Sequence, residues 1–282
     1  MKGLFQMTQI ELFKITTKPR SYIGFLAITV IVLLIEFAFY IDGKTYLQFI
    51  TQTLEQSFTI QGNILNGNLI CFIILQMLIV QMPLMIALVT GDLISGEAAG
   101  GTIRLLLTKP VSRANILMAK YLAGSIYTFL LILWLGVLAL GVGRLIFGHG
   151  DLMVLKSEEL VILRDGDILW RFMGAFVIAF LSLNVVATFS LMLSCFTDNS
   201  IGPIITSMSV IILFTIIGTI DIPFFDQLKP FLFTTHMIIW RNLFDNPLPQ
   251  TQIYTSLAVL AGHIMLFLSI AFYNFTRKDI HN

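Results

Sequence analysis

The sequence predicts an all-α membrane protein with six transmembrane helices, and three observations carry that prediction. Of 282 residues, 57% are hydrophobic and only 12% are charged, with a mean hydropathy of +0.89. A soluble domain carries about 25% charged residues, so this chain lacks the polar side chains to cover a surface in water. Apolar runs close to the ~20 residues that a helix needs to cross a bilayer recur along the chain. They fall at about residues 21–41, 69–91, 120–147, 172–195, 201–220 and 256–276. Lysine and arginine are also unevenly placed, as the positive-inside rule requires.

Residues 1–20 carry Leu4, Phe5, Thr8, Leu12 and Ile15 on one helical face, with Met7, Ile10 and Phe13 off it. This moderate amphipathicity predicts a helix lying along the membrane surface. The segment lacks the compact apolar region of a cleaved signal peptide, so the first span is expected to serve as the membrane signal. Glu36 is the one acid within a span. It is expected either to face a translocation path or to reach the outer interface and pair with Lys44. Pro83 should kink the second span, and Gln76, Gln81 and Asn184 can hydrogen-bond between helices. The fourth and fifth spans are separated only by CFTDNS, Cys195–Ser200, which predicts an antiparallel pair.

Residues 221–255 form the longest loop and hold a ten-residue apolar run, Phe231–Trp240, between Pro230 and Asn246-Pro247. Ten residues are too few to span, so a re-entrant or interfacial helix is expected, with Trp240 and Tyr254 at the interface. Lys2, Lys14, Lys18, Arg20, Arg104, Lys109, Arg113, Lys120, Arg277 and Lys278 make ten of the 17 basic residues on one side. The other seven are spread over longer, acid-rich loops. Both termini and residues 92–119 are therefore expected in the cytoplasm, in agreement with an even number of spans.

Several function classes are excluded or disfavoured. A net charge of +1 gives no footprint for nucleic acid. Cys71 and Cys195 sit in or beside apolar runs and form no metal or disulfide framework. His149, His236, His263 and His281 are scattered, without metal spacing. Met77, Met82 and Met85 lack the Cys or His that would make a copper site with them, and no paired-carboxylate or serine–histidine–acid set is discernible.

The stretch SGEAAGGTIRLLLTKP, Ser95–Pro110, has the Gly96–Gly101 spacing of a phosphate loop. Thr102 stands where that loop needs its lysine, and a membrane helix precedes it rather than a strand. Nucleotide binding in this chain is therefore rejected. The better reading is structural. Leu93–Leu107 is compatible with a helix that places Glu97 and Arg104 on roughly one side, and Lys109-Pro110 ends it. Ser112 then caps the helix leading into span three. Gly96, Gly100 and Gly101 keep the surface flat for close approach by another protein.

GDLISGEAAGGTIRLLLTKPVSRANILMAKYLAG resembles the cytoplasmic segment of ABC-2-type permeases, the membrane subunits of one class of ABC exporters with the type V exporter fold. The family pattern is met by Glu97, Gly101, Thr102, Leu105, Leu106, Pro110, Ser112, Arg113 and Lys120. ELFKITTKPRSYI resembles the family's opening, and the resemblance covers essentially the whole chain. It implies that residues 92–119 form a coupling helix docked in a groove of a separate ATP-binding subunit. Gly96, Glu97, Gly101, Thr102, Arg104, Pro110 and Arg113 would lie at that contact. Within the chain, Glu97 could instead pair with Arg104 or Arg113, and Arg113 and Lys120 could be simple interface anchors.

ATP and Mg would be bound by the partner, present in two copies, and no cofactor by this chain. A second permease copy or a sister permease would complete the complex in a bacterial cytoplasmic membrane. Glu36, Gln81 and Asn184 are the candidates for the translocation path. The alternative is a non-transporting subunit that passes mechanical work to an outer-side partner protein in assembly, metalloenzyme maturation or motility. The substrate is not legible.

Overall fold

The computed structural model describes residues 2–55, 64–102, 111–155 and 160–277. Helices dominate it, because a chain surrounded by lipid must satisfy its backbone polar groups within each segment. Helix α1 (Lys2–Thr17) leads through a one-turn break into α2 (Arg20–Glu55), which runs well past the predicted end of the first span. The second span is two helices, α3 (Gly67–Leu78) and α4 (Met82–Thr90), whose axes differ by 52°. At the break the Gln81 amide donates to the Leu78 carbonyl at 2.9 Å, a tight turn in place of the regular ladder. Pro83 sits in the first turn of α4, where its missing N–H costs nothing. Five described helices are long and apolar enough to cross a membrane, and six spans result if this bent pair counts as one.

Helix α5 (Ser95–Ala99) is a single turn followed, after undescribed residues, by α6 (Arg113–Gly136). The Ser112 hydroxyl caps α6 by accepting from the Asn115 amide, as the sequence predicts. Helix α6 continues through a π-helical turn, Val137–Val142, into α7 (Gly143–Phe147). There the backbones of α3 and α7 nearly touch. The Gly67 amide donates to the Gly148 carbonyl at 3.0 Å. A Cβ at Gly67 would stand 2.5 Å from the Arg144 Cα. Asn66 holds the start of α3, accepting from the Asn68 and Leu69 amides at 3.1 Å.

The loop after α7 departs from the all-α expectation. Strands β1 (Leu152–Leu155) and β2 (Leu160–Leu163) pair antiparallel, with Leu152 opposite Leu163. Leu152, Val154, Val161 and Leu163 are buried on one face. Each strand is only four residues long, so the period-two signal is too short to stand out among apolar helices.

Helix α8 (Asp165–Ser194) forms the centre of the bundle. Around it pack α4, α6, α9 (Gly202–Thr219) and, after the short α10 (Pro223–Asp226) and α11 (Phe233–Met237), α12 (Gln250–Arg277). Helices α2 and α9 expose Leu26, Leu34, Ile205 and Leu213. These apolar flanks suit contact with lipid.

The expected single helix between spans five and six is a chain of short turns: a 3₁₀ turn at Lys229–Phe231, α11, and a second 3₁₀ turn at Ile239–Phe244. Trp240, expected at the interface, is 1% exposed. Its ring and those of Phe72 and Phe172 pack edge-on around Phe244, with centroids 4.9–6.3 Å from it. Tyr254 is exposed, as an interfacial residue should be.

Arg171 on α8 clamps this segment. Its guanidinium donates to the Leu243 and Asp245 carbonyls at 2.6 and 2.9 Å and to Asp167 at 2.9 Å. Arg171→Met removes the donor to the buried Leu243 carbonyl, at a cost of about 1–3 kcal/mol, and a second bond to the partly buried Asp245 carbonyl. The expected result is faster hydrogen exchange across residues 229–247, with exchange in α6 unchanged.

Candidate functional site

The stretch following α4 is bound on every side by charged and polar groups. Lys120 on α6 is completely buried. Its ammonium lies 2.9 Å from Glu11 of α1 and 2.8 Å from Glu97 of α5, and donates to the Leu93 carbonyl at 2.8 Å. Lys14, one turn along from Glu11, bridges the same two carboxylates at 2.7 Å each. Two cations and two carboxylates therefore close into a neutral cluster. That balance is what makes it tolerable at such depth.

Asp92, at the end of α4, anchors a second cluster. It is 1% exposed, pairs with Lys18 at 3.1 Å and with Arg20, and accepts from Ser200. The Ser194 hydroxyl, at the end of α8, accepts from the Ile94 and Ser95 amides at 3.1 and 2.8 Å. Ser95 in turn donates to the Gly91 carbonyl at 2.9 Å. The N-terminal helix and the ends of α4, α6 and α8 thus meet on residues 92–97. At the same end of the bundle, Arg113 donates to the Thr276 carbonyl at 3.2 Å, near the end of α12.

The electrostatics follow from the contacts. Burial alone would raise the Glu97 carboxyl, but the Lys120 charge and hydrogen bonds from Lys120 and Lys14 hold it below the usual carboxylate range. Burial would lower the Lys14 ammonium, but its bonds to Glu11 and Glu97 leave it raised. Lys18 is lowered, by burial first and by neighbouring Arg20 second.

The predicted contact residues divide at this point. Gly96 packs so closely on the Asp92 carboxylate that any Cβ there would collide with it. Helix α5 ends at Ala99 and Gly101 takes φ +68°, a conformation glycine adopts freely, so the expected Leu93–Leu107 helix is interrupted here, while its residues 103–107 lie outside the described residues. Thr102 donates its hydroxyl to the Glu97 carbonyl at 3.3 Å. Ala99, Gly100, Gly101 and Thr102 form an exposed tip beyond the clusters. Arg104 and Pro110 lie outside the described residues. Glu97 turns inward to Lys14 and Lys120. Its pairing was foreseen with arginines of its own segment, and the involvement of α1 was missed. One signal was available: Glu11 and Lys14 lie one helical turn apart on α1.

The candidate path residues are separate from these clusters. Asn184 accepts from Ser125 at 2.8 Å and donates to the Tyr121 hydroxyl at 3.1 Å, tying α8 to α6. Gln81 is exposed at the α3–α4 break. Glu36 is 2% exposed, and neither carboxylate oxygen has a hydrogen-bond partner among the described residues.

Comparison with known proteins places these features in a family. A family model described as "Protein of unknown function (DUF2705)" matches residues 28–281. An uncharacterized protein of Bacillus subtilis (strain 168), YhcI, is 30% identical over 201 residues, covering 69% of this chain and 63% of its own length. The probable ABC transporter permease protein NosY of Stutzerimonas stutzeri is 40% identical over 68 residues, 24% of this chain and 25% of that protein. The chain thus spans less than two thirds of the length of either curated relative. With residues 28–281 of its 282 matched by the family model, this chain of long apolar helices belongs to the DUF2705 family of proteins of unknown function.

Proposed function

We propose that this chain is the permease subunit of an ATP-driven exporter and receives its power stroke on residues 92–119 from a separate ATP-binding subunit. The observation that carries this reading is the pair of ion clusters. They fix a short exposed turn to α1 and to the ends of α4, α6 and α8. A push on the Ala99–Thr102 tip would pass through Glu97 and Asp92 into several helices at once. Glycine at 100 and 101 leaves the tip without side chains that would hold a partner off. The partial similarity to a probable ABC permease supports the same reading. Two such chains, or this chain and a sister permease, would work with two ATP-binding subunits in a bacterial cytoplasmic membrane. Glu36, Gln81 and Asn184 would border the path.

Ala99 is exposed, whereas Arg113 is half-buried and bonded to Thr276, so the melting temperature is read beside binding to separate a lost contact from lost folding. Affinity-tagged chain is purified from native membranes in mild detergent. The wild type is expected to bring down a protein with a nucleotide-binding phosphate loop. Ala99→Arg combined with Arg113→Glu is expected to release it while the melting temperature of the membrane part holds. If no nucleotide-binding protein accompanies the wild type, or the double variant keeps it in full, the reading fails.

A further inference from the structure

Glu36 lies in α2 and is 2% exposed. Backbone shuts its carboxylate in. Oε1 lies 3.4 Å from the position a Cβ would take at Gly143, and the Gly67 carbonyl oxygen lies 3.6 Å from the same point. The acid is thus pressed onto the α3–α7 crossing, beside an oxygen that can only accept a hydrogen bond. Neither carboxylate oxygen has a hydrogen-bond partner among the described residues. Helix α2 packs on α1, α3, α4, α6 and the π turn, and the described charges on these elements are engaged elsewhere. Helix α4 and the π turn hold no titratable residue. On α3 the Cys71 thiol is fully buried. Glu11 and Lys14 of α1 pair with each other, and Lys120 of α6 pairs with Glu11. Also on α6, Arg113 bonds Thr276, Tyr121 accepts from Asn184 and Tyr127 donates to the Ser21 carbonyl. Arg144, next to Gly143, commits its guanidinium to Asn68 at 2.8 Å and to Asp165 at 3.5 Å. Further along α2 itself, Tyr40, Asp42 and Lys44 are exposed.

We infer that Glu36 is a proton-binding site inside the membrane: it holds a proton while α2 is seated on the α3–α7 crossing and releases it where that seat opens. A carboxylate needs donors, and this place offers it only backbone and an acceptor. A carboxylic acid has an O–H to give and no charge to solvate, so the neutral form is the one this packing can hold. Acids at membrane depth mark proton sites for the same reason. The consequence is linkage. The closed seat keeps one proton that the opened, solvated acid gives up as pH rises above the ordinary carboxylate range. Acid therefore favours the closed seat and alkali favours its opening, through the local openings that folded chains undergo. The inference stands on the packing of α2 and requires no ATP-binding partner.

The full chain is reconstituted in phosphatidylcholine nanodiscs without any partner, and wild type and Glu36→Gln are compared. At neutral pH the infrared spectrum of the wild type should show the carbonyl stretch of a protonated carboxylic acid, shifted in heavy water and missing from Glu36→Gln. Hydrogen exchange across residues 137–147 reports the opening of the seat. The ratio of wild-type to Glu36→Gln exchange should rise with pH above the ordinary carboxylate range, by up to about tenfold per pH unit, the slope of one proton. Comparing the two chains at each pH removes the intrinsic pH dependence of exchange. If Glu36→Gln does not fold, the wild type alone decides: its band must be present at neutral pH and vanish in a one-proton step together with faster exchange across residues 137–147. No protonated carbonyl in the wild type at neutral pH, a full band in Glu36→Gln, or an exchange ratio that stays flat with pH overturns the proposal. The assay contains no ATPase, so its failure is distinct from failure of the exporter reading, which co-purification tests.

Discussion

Replacing Lys120 with methionine is expected to destabilise the protein by about 3–5 kcal/mol, the usual effect of removing one member of a buried ion pair. The substitution leaves Glu11, Lys14 and Glu97 with a net negative charge. It also leaves the Leu93 carbonyl without its donor. Adding Glu97→Gln restores neutrality, because Lys14 still pairs with Glu11 at 2.7 Å. The double variant should therefore recover much of the loss in a thermal melt. A double variant as unstable as the single one would show that charge balance is not what holds the cluster.

The pH dependence has a definite sign. Glu97 is held below its ordinary value, so its stabilisation is present above the unfolded carboxylate range and is lost as pH falls through the folded value. Lys14 is raised, so its contribution persists below the ordinary lysine range and is lost as pH rises through its folded value. Acid should loosen α1 from α5 first. Lys120→Met should flatten that acid response, because the Lys120 charge is the largest influence holding Glu97 down.

Gly67→Ala should destabilise by about 3 kcal/mol, the upper part of the range for overpacking. The new Cβ would stand 2.5 Å from the Arg144 Cα and 2.6 Å from its amide nitrogen. Backbone cannot swing aside as a side-chain tip can, so α3 and α7 must separate. That would also break the bond from the Gly67 amide to Gly148. Gly141→Ala, three residues before Arg144, meets nothing within 4 Å and should be close to neutral. Melting both variants side by side separates this backbone clash from a general cost of replacing glycine near the crossing.

The sequence exposed the spans because about 20 apolar residues leave a composition signal that needs no partner to be read. It also exposed the Ser112 cap and the break before Pro83, both of which are local. The clusters were less legible. Lys120 and Glu11 are 109 positions apart, and each alone looks like an ordinary interface charge. Nothing near Gly67 in the chain announces that Arg144 will press on it. The β1–β2 hairpin was hidden by brevity, and Trp240 was assigned to the interface by residue type although Phe72 and Phe244 pack edge-on against its buried ring. For Glu36 the sequence revealed an acid in a span. The structure added its burial and, among the described residues, the lack of any hydrogen-bond partner for its carboxylate.

The central claim is that the tip between α5 and α6 touches an ATP-binding protein. A photo-crosslinking residue placed at Thr102 in native membranes tests it most directly, with the same residue at lipid-exposed Leu34 as the control. Crosslinking from position 102 to a protein with a nucleotide-binding phosphate loop, and only to lipid from position 34, is the predicted result. Crosslinking from position 102 to lipid alone, or to proteins without such a loop, would contradict it.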